Sequence, residues 1–144
     1  RFRQVKEIRE SGKNVIQDRT IYEDAHIFAE NLAEMNLLSE RDFKNYLSVF
    51  QLMKDFVSAP DLLIYLRADI PTLVKQIAKR GREYETSISI DYLSKLNNKY
   101  QNWIENYKEG KLLIIDVDDL DFVEKQEDFG YILERIDGEL NGLF

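Results

Sequence analysis

Three short runs of branched apolar residues, separated by segments of helical period, predict an α/β fold in which helices flank a parallel sheet. The runs are Asn14 to Gln17, Leu62 to Leu66 and Leu112 to Val117, each mostly apolar, as strands covered on both faces are. The spacers between them are long enough to hold crossover helices, which parallel strands require. With 144 residues and 44% hydrophobic composition, the chain suits one domain with a buried core.

The elements follow in order. Arg1 to Ser11 reads as the last turns of a helix, closed by Gly12 in the backbone conformation a carboxyl-terminal cap needs. Because the chain opens on Arg1 and not on methionine, this reading expects the earlier part of the fold to lie upstream. After the first run, Ala25, Phe28, Leu32 and Met35 recur at helical spacing. A second helix is expected from Glu40, with Phe43, Leu47, Phe50 and Val57 on one face. Ser39 and Asp42 resemble a capping box at its start, and Pro60 closes the pair. Asp69 and Pro71 open a helix whose stripe is Leu73, Val74, Ile77 and Ala78, ending at Gly81. A long helix from about Ile90 to Tyr107 turns Leu93, Leu96, Tyr100, Trp103 and Ile104 inward and is expected to end at Gly110. A last helix, about Glu127 to Leu140, completes the chain. No repeat, low-complexity tract or linker interrupts it.

Charge and composition exclude several functions. The 20 Lys and Arg against 27 Asp and Glu leave a formal charge of −7, and no stretch is basic enough to track a polymeric nucleic acid. The absence of cysteine excludes disulfides, thiolate metal sites and a cysteine nucleophile. No apolar run approaches the roughly 20 residues that span a bilayer, so a soluble protein of the reducing cytoplasm is expected.

Two polar clusters remain. Asp18, Arg19 and Thr20 stand at the end of the first run, where α/β folds place chemistry; as a bare tripeptide they also suit a turn or helix cap. Lys79 to Glu85 packs Lys79, Arg80, Arg82, Glu83 and Glu85 around Gly81 and Tyr84. Taken alone this cluster suits a solvated helix end favoured by the macrodipole best, and it also suits a pair of arginines closing over phosphate.

Taken together, Asp18-Arg19-Thr20-Ile21-Tyr22-Glu23-Asp24 with Ile27-Phe28-Ala29, and Arg80-Gly81-Arg82 to Glu85 with Tyr92, Leu93, Lys95 and Leu96 behind it, resemble the acid-Arg-Ser segment and the LID of the deoxynucleoside kinases. The likeness covers essentially the whole chain and runs nearest the bacterial deoxyadenosine and deoxyguanosine kinase branch. It implies a three-layer fold of P-loop kinase type, whose first strand or strands are missing here, with residues 1–144 forming the carboxyl-terminal portion of a single domain. It also implies transfer of a phosphoryl group from ATP to the 5′-hydroxyl of a deoxynucleoside, with Mg²⁺, in nucleotide salvage. By position, Asp18 would help hold Mg²⁺, Arg19 would contact the 5′ oxygen, and Arg80 and Arg82 would neutralise the moving phosphoryl group. Glu85 would accept a hydrogen bond from the sugar 3′-hydroxyl, Phe28 would pack on the base, and Arg1 with Asp24 would read its edge. Asp121 and Phe122 would lie along the donor adenine. A homodimer through the helices between Tyr22 and Val57 is likewise implied.

Other roles for these residues stay open. Phe28 lies in an apolar stripe and suits a core as well as a base platform, and His26, Tyr84 and Trp103 read as surface or packing residues. Asp116, Asp118 and Asp119 read as a solvated strand end. The chain departs from the family pattern in three ways. Neither the glycine-rich phosphate loop nor the catalytic carboxylate is among these residues, so both are expected upstream and the 144 residues alone are expected to be inactive. Thr20 replaces a serine, and Gln76 stands where some relatives carry arginine. A thymidylate-kinase-like nucleotide kinase and a non-catalytic nucleotide-binding module are the competing readings.

Overall fold

The computed structural model describes residues 1–85 and 88–142. Thr86, Ser87 and the side chain of Tyr84, all in the charged segment, lie outside the described residues. In chain order the elements are α1 (Phe2–Ser11), α2 (Ile21–Glu23), a π-helical stretch (Asp24–Ala29), α3 (Glu30–Glu34), α4 (Glu40–Lys54), β1 (Leu62–Arg67), α5 (Ile70–Arg80), a 3₁₀ turn (Glu83–Glu85), α6 (Ile90–Glu105), β2 (Lys111–Asp116) and α7 (Gln126–Asn141). They divide into two units: Arg1–Ala59 with Lys95–Glu105, and Pro60–Ser94 with Asn106–Phe144.

In the first unit, Gly12 ends α1 at φ 62°, the left-handed cap its sequence predicts. The core gathers Ile21, Tyr22, Ala25 and Phe50, with Phe2, Val5, Leu47, Val57 and Trp103 packed against them. Aromatic edges converge on Phe50, from Phe2 at 6.4 Å, Tyr22 at 6.1 Å and the exposed His26 at 5.6 Å between ring centroids, distances at which edge-to-face pairs attract. Ser39 caps α4 by accepting the Asp42 N–H at 3.1 Å. The Asp42 carboxylate takes the Ser39 hydroxyl and not its backbone N–H, so only half of the expected box forms.

Two expectations fail in this unit. Asn14 to Gln17 forms no strand. A strand exists through its ladder bonds to a neighbour, and Ile16, 97% exposed, has nothing to pack against. The face predicted for the helix after it holds at Ala25 and fails beyond it: Phe28 is half-buried and Leu32 and Met35 are exposed, while Ile21, Tyr22, Ile27, Ala29 and Asn31 are buried. The π-helical stretch causes the change, because its wider turns insert a residue and rotate everything beyond them out of the 3.6-residue register.

In the second unit, β1 and β2 pair in parallel from Leu62 opposite Lys111 to Arg67 opposite Asp116. The core packs Ala68, Leu113, Ile115, Val117 and Ile132 with Leu62, Ile64, Leu73, Leu120, Phe122 and Ile136. Two strands, and not three, form the sheet among the described residues. Asp69 caps α5 by accepting the Thr72 N–H at 2.8 Å, and Gly81 ends it at φ 65°. Of its predicted stripe, Leu73 and Ile77 are half-buried, whereas Val74 and Ala78 are exposed. Helix α6 stops at Glu105, and Gly110 is not left-handed, so it does not cap that helix. No described helix is long and apolar enough to cross a membrane.

The strand ends carry a polar lock. Arg67 donates through Nε to Asp116 Oδ1 at 2.5 Å and through Nη2 to Asp116 Oδ2 at 2.8 Å, and Asp118 Oδ1 accepts the Asp69 N–H at 2.9 Å. The hydrogen bonds from Arg67 hold the Asp116 carboxyl below the usual carboxylate range. Those from the Asp69 backbone and then the Thr72 side chain do the same for Asp118. These acids are therefore structural partners, more engaged than the solvated strand end expected of them. A carboxyl whose folded pKa is depressed contributes stability above its unfolded value, near 3.9, and loses it as pH falls through the folded value. Asp118→Asn is accordingly expected to melt below the parent at neutral pH. Thermal-denaturation curves should show the gap between the two proteins closing as pH falls below the unfolded carboxyl value; a gap that does not narrow under acid conditions would contradict this.

Candidate active site

The first unit carries Arg1, Asp18, Arg19, Asp24 and Phe28, and the backbone there is unusual. Arg19 has φ 61°, a left-handed conformation that costs a side-chain-bearing residue about 1–2 kcal/mol. Arg1 stabilises the turn by donating from Nη1 to the Asp18 carbonyl at 2.8 Å and to the Arg19 carbonyl at 3.2 Å. Its Nε pairs with Asp24 Oδ2 at 2.8 Å, both side chains being largely shielded. The opposite charges assigned to one task by sequence thus hold each other before any ligand is present.

Arg19 projects its guanidinium over the Phe28 ring, 4.9 Å from the centroid, a cation–π contact. The ring also meets Tyr100 edge-on at 6.4 Å, and Tyr100 meets Trp103 at 6.5 Å. Phe28 is therefore braced by an aromatic chain on one side and covered by a cation, between the core and platform roles its spacing allows.

Thr20 is a helix cap. Its Oγ1 accepts the Tyr22 N–H at 3.1 Å, and Glu23 accepts the Thr20 N–H at 2.8 Å and its hydroxyl as well, a complete capping box at the start of α2. Glu23 is 6% exposed, and the sequence reading passed it over although Thr20-x-x-Glu23 is the signature of this motif. Asp18 is exposed. Among the described residues no group of three or more acids or histidines is placed to hold a metal ion, so Asp18 fits Mg²⁺ only as a single carboxylate on an ion that keeps water and phosphate ligands, the usual condition of protein-bound Mg²⁺.

The second unit carries Arg80, Arg82, Glu85, Asp121 and Phe122. The left-handed turn at Gly81 and the 3₁₀ turn after it bring Glu85 back onto the end of α5. There it receives Arg80 Nε at 2.9 Å and Nη2 at 2.7 Å, with Arg82 Nη1 at 3.5 Å. Glu85 is buried, while both arginines are half-exposed. Asp121 accepts the Lys125 N–H through its carbonyl at 2.8 Å and donates its own N–H to Asp128 at 2.7 Å, and Phe122 packs into the core beside it. Lys79 lies 3.5 Å from both Asp121 and Glu124; nothing in the linear spacing signals this contact between α5 and the loop after β2. Gln76 is exposed on α5. Clefts of about 310 Å³ beside Asn36 and Phe43 and about 320 Å³ beside Lys111 and Arg135 include none of the candidate residues.

Comparison with known proteins gives concordant results. Residues 1–140 match the family model described as deoxynucleoside kinase. The chain is 35% identical over 138 residues to the deoxyadenosine/deoxycytidine kinase of Bacillus subtilis, covering 94% of this chain and 64% of that protein. To the deoxyadenosine kinase of Lactobacillus acidophilus it is 36% identical, covering 89% and 63%. Among solved structures, deoxyadenosine kinase from M. mycoides with the products dCMP and a flexible dCDP superposes with a TM-score of 0.78 at 27% identity, covering 96% of this chain and 68% of that one. The same kinase with bound dATP gives 0.75 at 25% identity, covering 94% and 68%. The chain thus spans a little under two thirds of the length of the curated relatives it matches.

The capping geometry carries its own expectation. Thr20→Ala should lose about 1 kcal/mol of stability in urea unfolding and Thr20→Ser almost none, since serine restores the accepting oxygen; equal losses would show that the methyl group, and not the cap, matters.

Proposed function

The chain belongs to the deoxynucleoside kinase family, and from that premise we propose that residues 1–144 are the carboxyl-terminal part of a single kinase domain whose complete form phosphorylates deoxyadenosine or deoxyguanosine with ATP. The 5′ oxygen of the nucleoside attacks the γ-phosphorus and gives up its proton. The bond from that phosphorus to the β–γ bridging oxygen breaks, and a deoxynucleoside monophosphate and ADP result. Positioning and charge neutralisation supply most of the catalysis in such a transfer.

The observation that carries this reading is the Arg1–Asp24 pair at 2.8 Å. A planar guanidinium and a carboxylate held side by side present donors and acceptors to a purine edge without the cost of ordering them on binding. Phe28 beside them packs on the base, Arg19 leaves the ring for the 5′ oxygen, and Glu85 accepts the 3′-hydroxyl. Arg80 and Arg82 serve the phosphoryl group, and Asp121 and Phe122 border the donor adenine. Asp18 helps hold Mg²⁺, which when bound neutralises phosphate charge. The phosphate loop and the catalytic carboxylate belong to the segment before Arg1, so the 144 residues alone are inactive. The enzyme works in the cytoplasm, in nucleotide salvage.

The active species is a homodimer joined through the helices between Tyr22 and Val57. Support comes from α4 and the residues just after it, where Val49, Leu52 and Phe56 are exposed at spacings that align them on one helical stripe.

In the full-length protein, ATP-dependent phosphorylation is expected with deoxynucleosides and not with their monophosphates; the reverse preference would return the thymidylate-kinase-like reading, and neither activity would end the kinase assignment. Asp24→Asn should raise KM for the nucleoside by about 10-fold or more with KM for ATP little changed. Sedimentation should give a dimer that Leu52→Glu converts to monomer, and a monomeric parent would remove the dimer proposal.

A further inference from the structure

Both carboxylate oxygens of Glu85 meet arginine before any ligand arrives. Arg80 meets it through Nε at 2.9 Å and Nη2 at 2.7 Å, the two-pronged geometry in which guanidinium–carboxylate pairs are strongest, and Arg82 adds a longer contact at 3.5 Å. Glu85 is 7% exposed, so water screens the pair poorly on that side. The turn is built for this closure: Gly81 at φ 65° reverses the chain, and the Glu85 N–H returns to the Arg82 carbonyl at 2.9 Å. Arg80 in this arrangement commits its Nε–Nη2 fork and part of its charge to a carboxylate, so that two-pronged edge is not presented to a phosphate.

We infer that Glu85 is a positioning residue that holds Arg80 away from the transferring phosphoryl group until the acceptor's sugar hydroxyl engages the carboxylate. The inference rests on the deoxynucleoside kinase reading and adds to it an order of events. A hydroxyl donating to Glu85 competes with one of the two Arg80 hydrogen bonds and reduces the fork to a single prong. Arg80 then turns its freed N–H toward the phosphate. Without acceptor, the masked arginine suppresses the wasteful reaction in which a water oxygen bonds to the γ-phosphorus, the bond to the β–γ bridging oxygen breaks, and ADP, inorganic phosphate and a proton are released.

The test uses the full-length enzyme. Glu85→Gln keeps the shape and removes the charge, so ATP hydrolysis without nucleoside should rise roughly 10-fold while KM for nucleoside increases. A residue that only binds the hydroxyl would raise KM and leave acceptor-free hydrolysis unchanged, and that result in a variant with the parent's melting temperature overturns the inference. The unsubstituted enzyme supplies a second measurement, which decides the matter if the variant does not fold. 2′,3′-Dideoxyadenosine, lacking the 3′-hydroxyl, should lower kcat as well as raise KM, because Arg80 stays held; a change in KM alone overturns the inference. If the unsubstituted enzyme phosphorylates no deoxynucleoside, the functional reading itself fails and takes the inference with it. Phosphorylation with uncoupled hydrolysis unchanged sinks the inference alone.

Discussion

The parallel register of β1 on β2 is the constraint on which the second unit depends. By setting Arg67 opposite Asp116, it lets a guanidinium and a carboxylate meet fork to fork across adjacent strands. It also brings Asp118 to the Asp69 N–H. Asp69 starts α5, α5 ends at Arg80, and Gly81 turns the chain so that Glu85 returns to Arg80. A slip of one residue in the sheet would exchange the faces of the strands and break the Arg67–Asp116 pair. The candidate residues at the far end of α5 are thus tied, through that helix, to the carboxyl ends of the strands, where α/β sheets present their ligand sites.

In the first unit the corresponding anchor is Arg1. One guanidinium fixes the Asp18 and Arg19 carbonyls and the Asp24 carboxylate, stabilising a left-handed residue that would otherwise be strained. The Thr20–Glu23 box then starts the helix, and the π-helical stretch places Asp24 and Phe28. A π-helical stretch is intrinsically less favourable than an α-helix and recurs at functional positions; here it spans Asp24 and Phe28, two of the three residues for which base recognition is proposed. The buried Asn31 follows it, with no hydrogen-bond partner for Oδ1 among the described residues and Nδ2 resting on Met35 Sδ at 3.5 Å.

Both groups of candidate residues share one design. Cations that would act on phosphate or base are held by nearby partners, Arg19 over Phe28 and Arg80 on Glu85. Such pairing orders the side chains in advance, which lowers the entropy lost when a substrate replaces the internal partner. Lys79 joins the same scheme by linking the end of α5 to the loop that carries Asp121.

The sequence alone determined most of the helices, the β1 and β2 runs, the caps at Gly12, Asp69 and Gly81, and the family, because each rests on local chemistry or on a residue pattern that needs no partner from elsewhere in the chain. It also marked most of the residues now gathered around Arg1 and Arg80. It misjudged Asn14 to Gln17, since an apolar run becomes a strand only when another strand completes its hydrogen bonds. It misjudged the buried face after Thr20, since nothing local announces that a helix will widen into a π turn. Tertiary structure alone decided that Arg1, besides pairing with Asp24, also takes the Asp18 and Arg19 carbonyls, that Arg67 faces Asp116, and that Lys79 reaches Asp121. These are contacts of charged side chains with groups distant in sequence, and their partners are selected by where the packed backbone carries them.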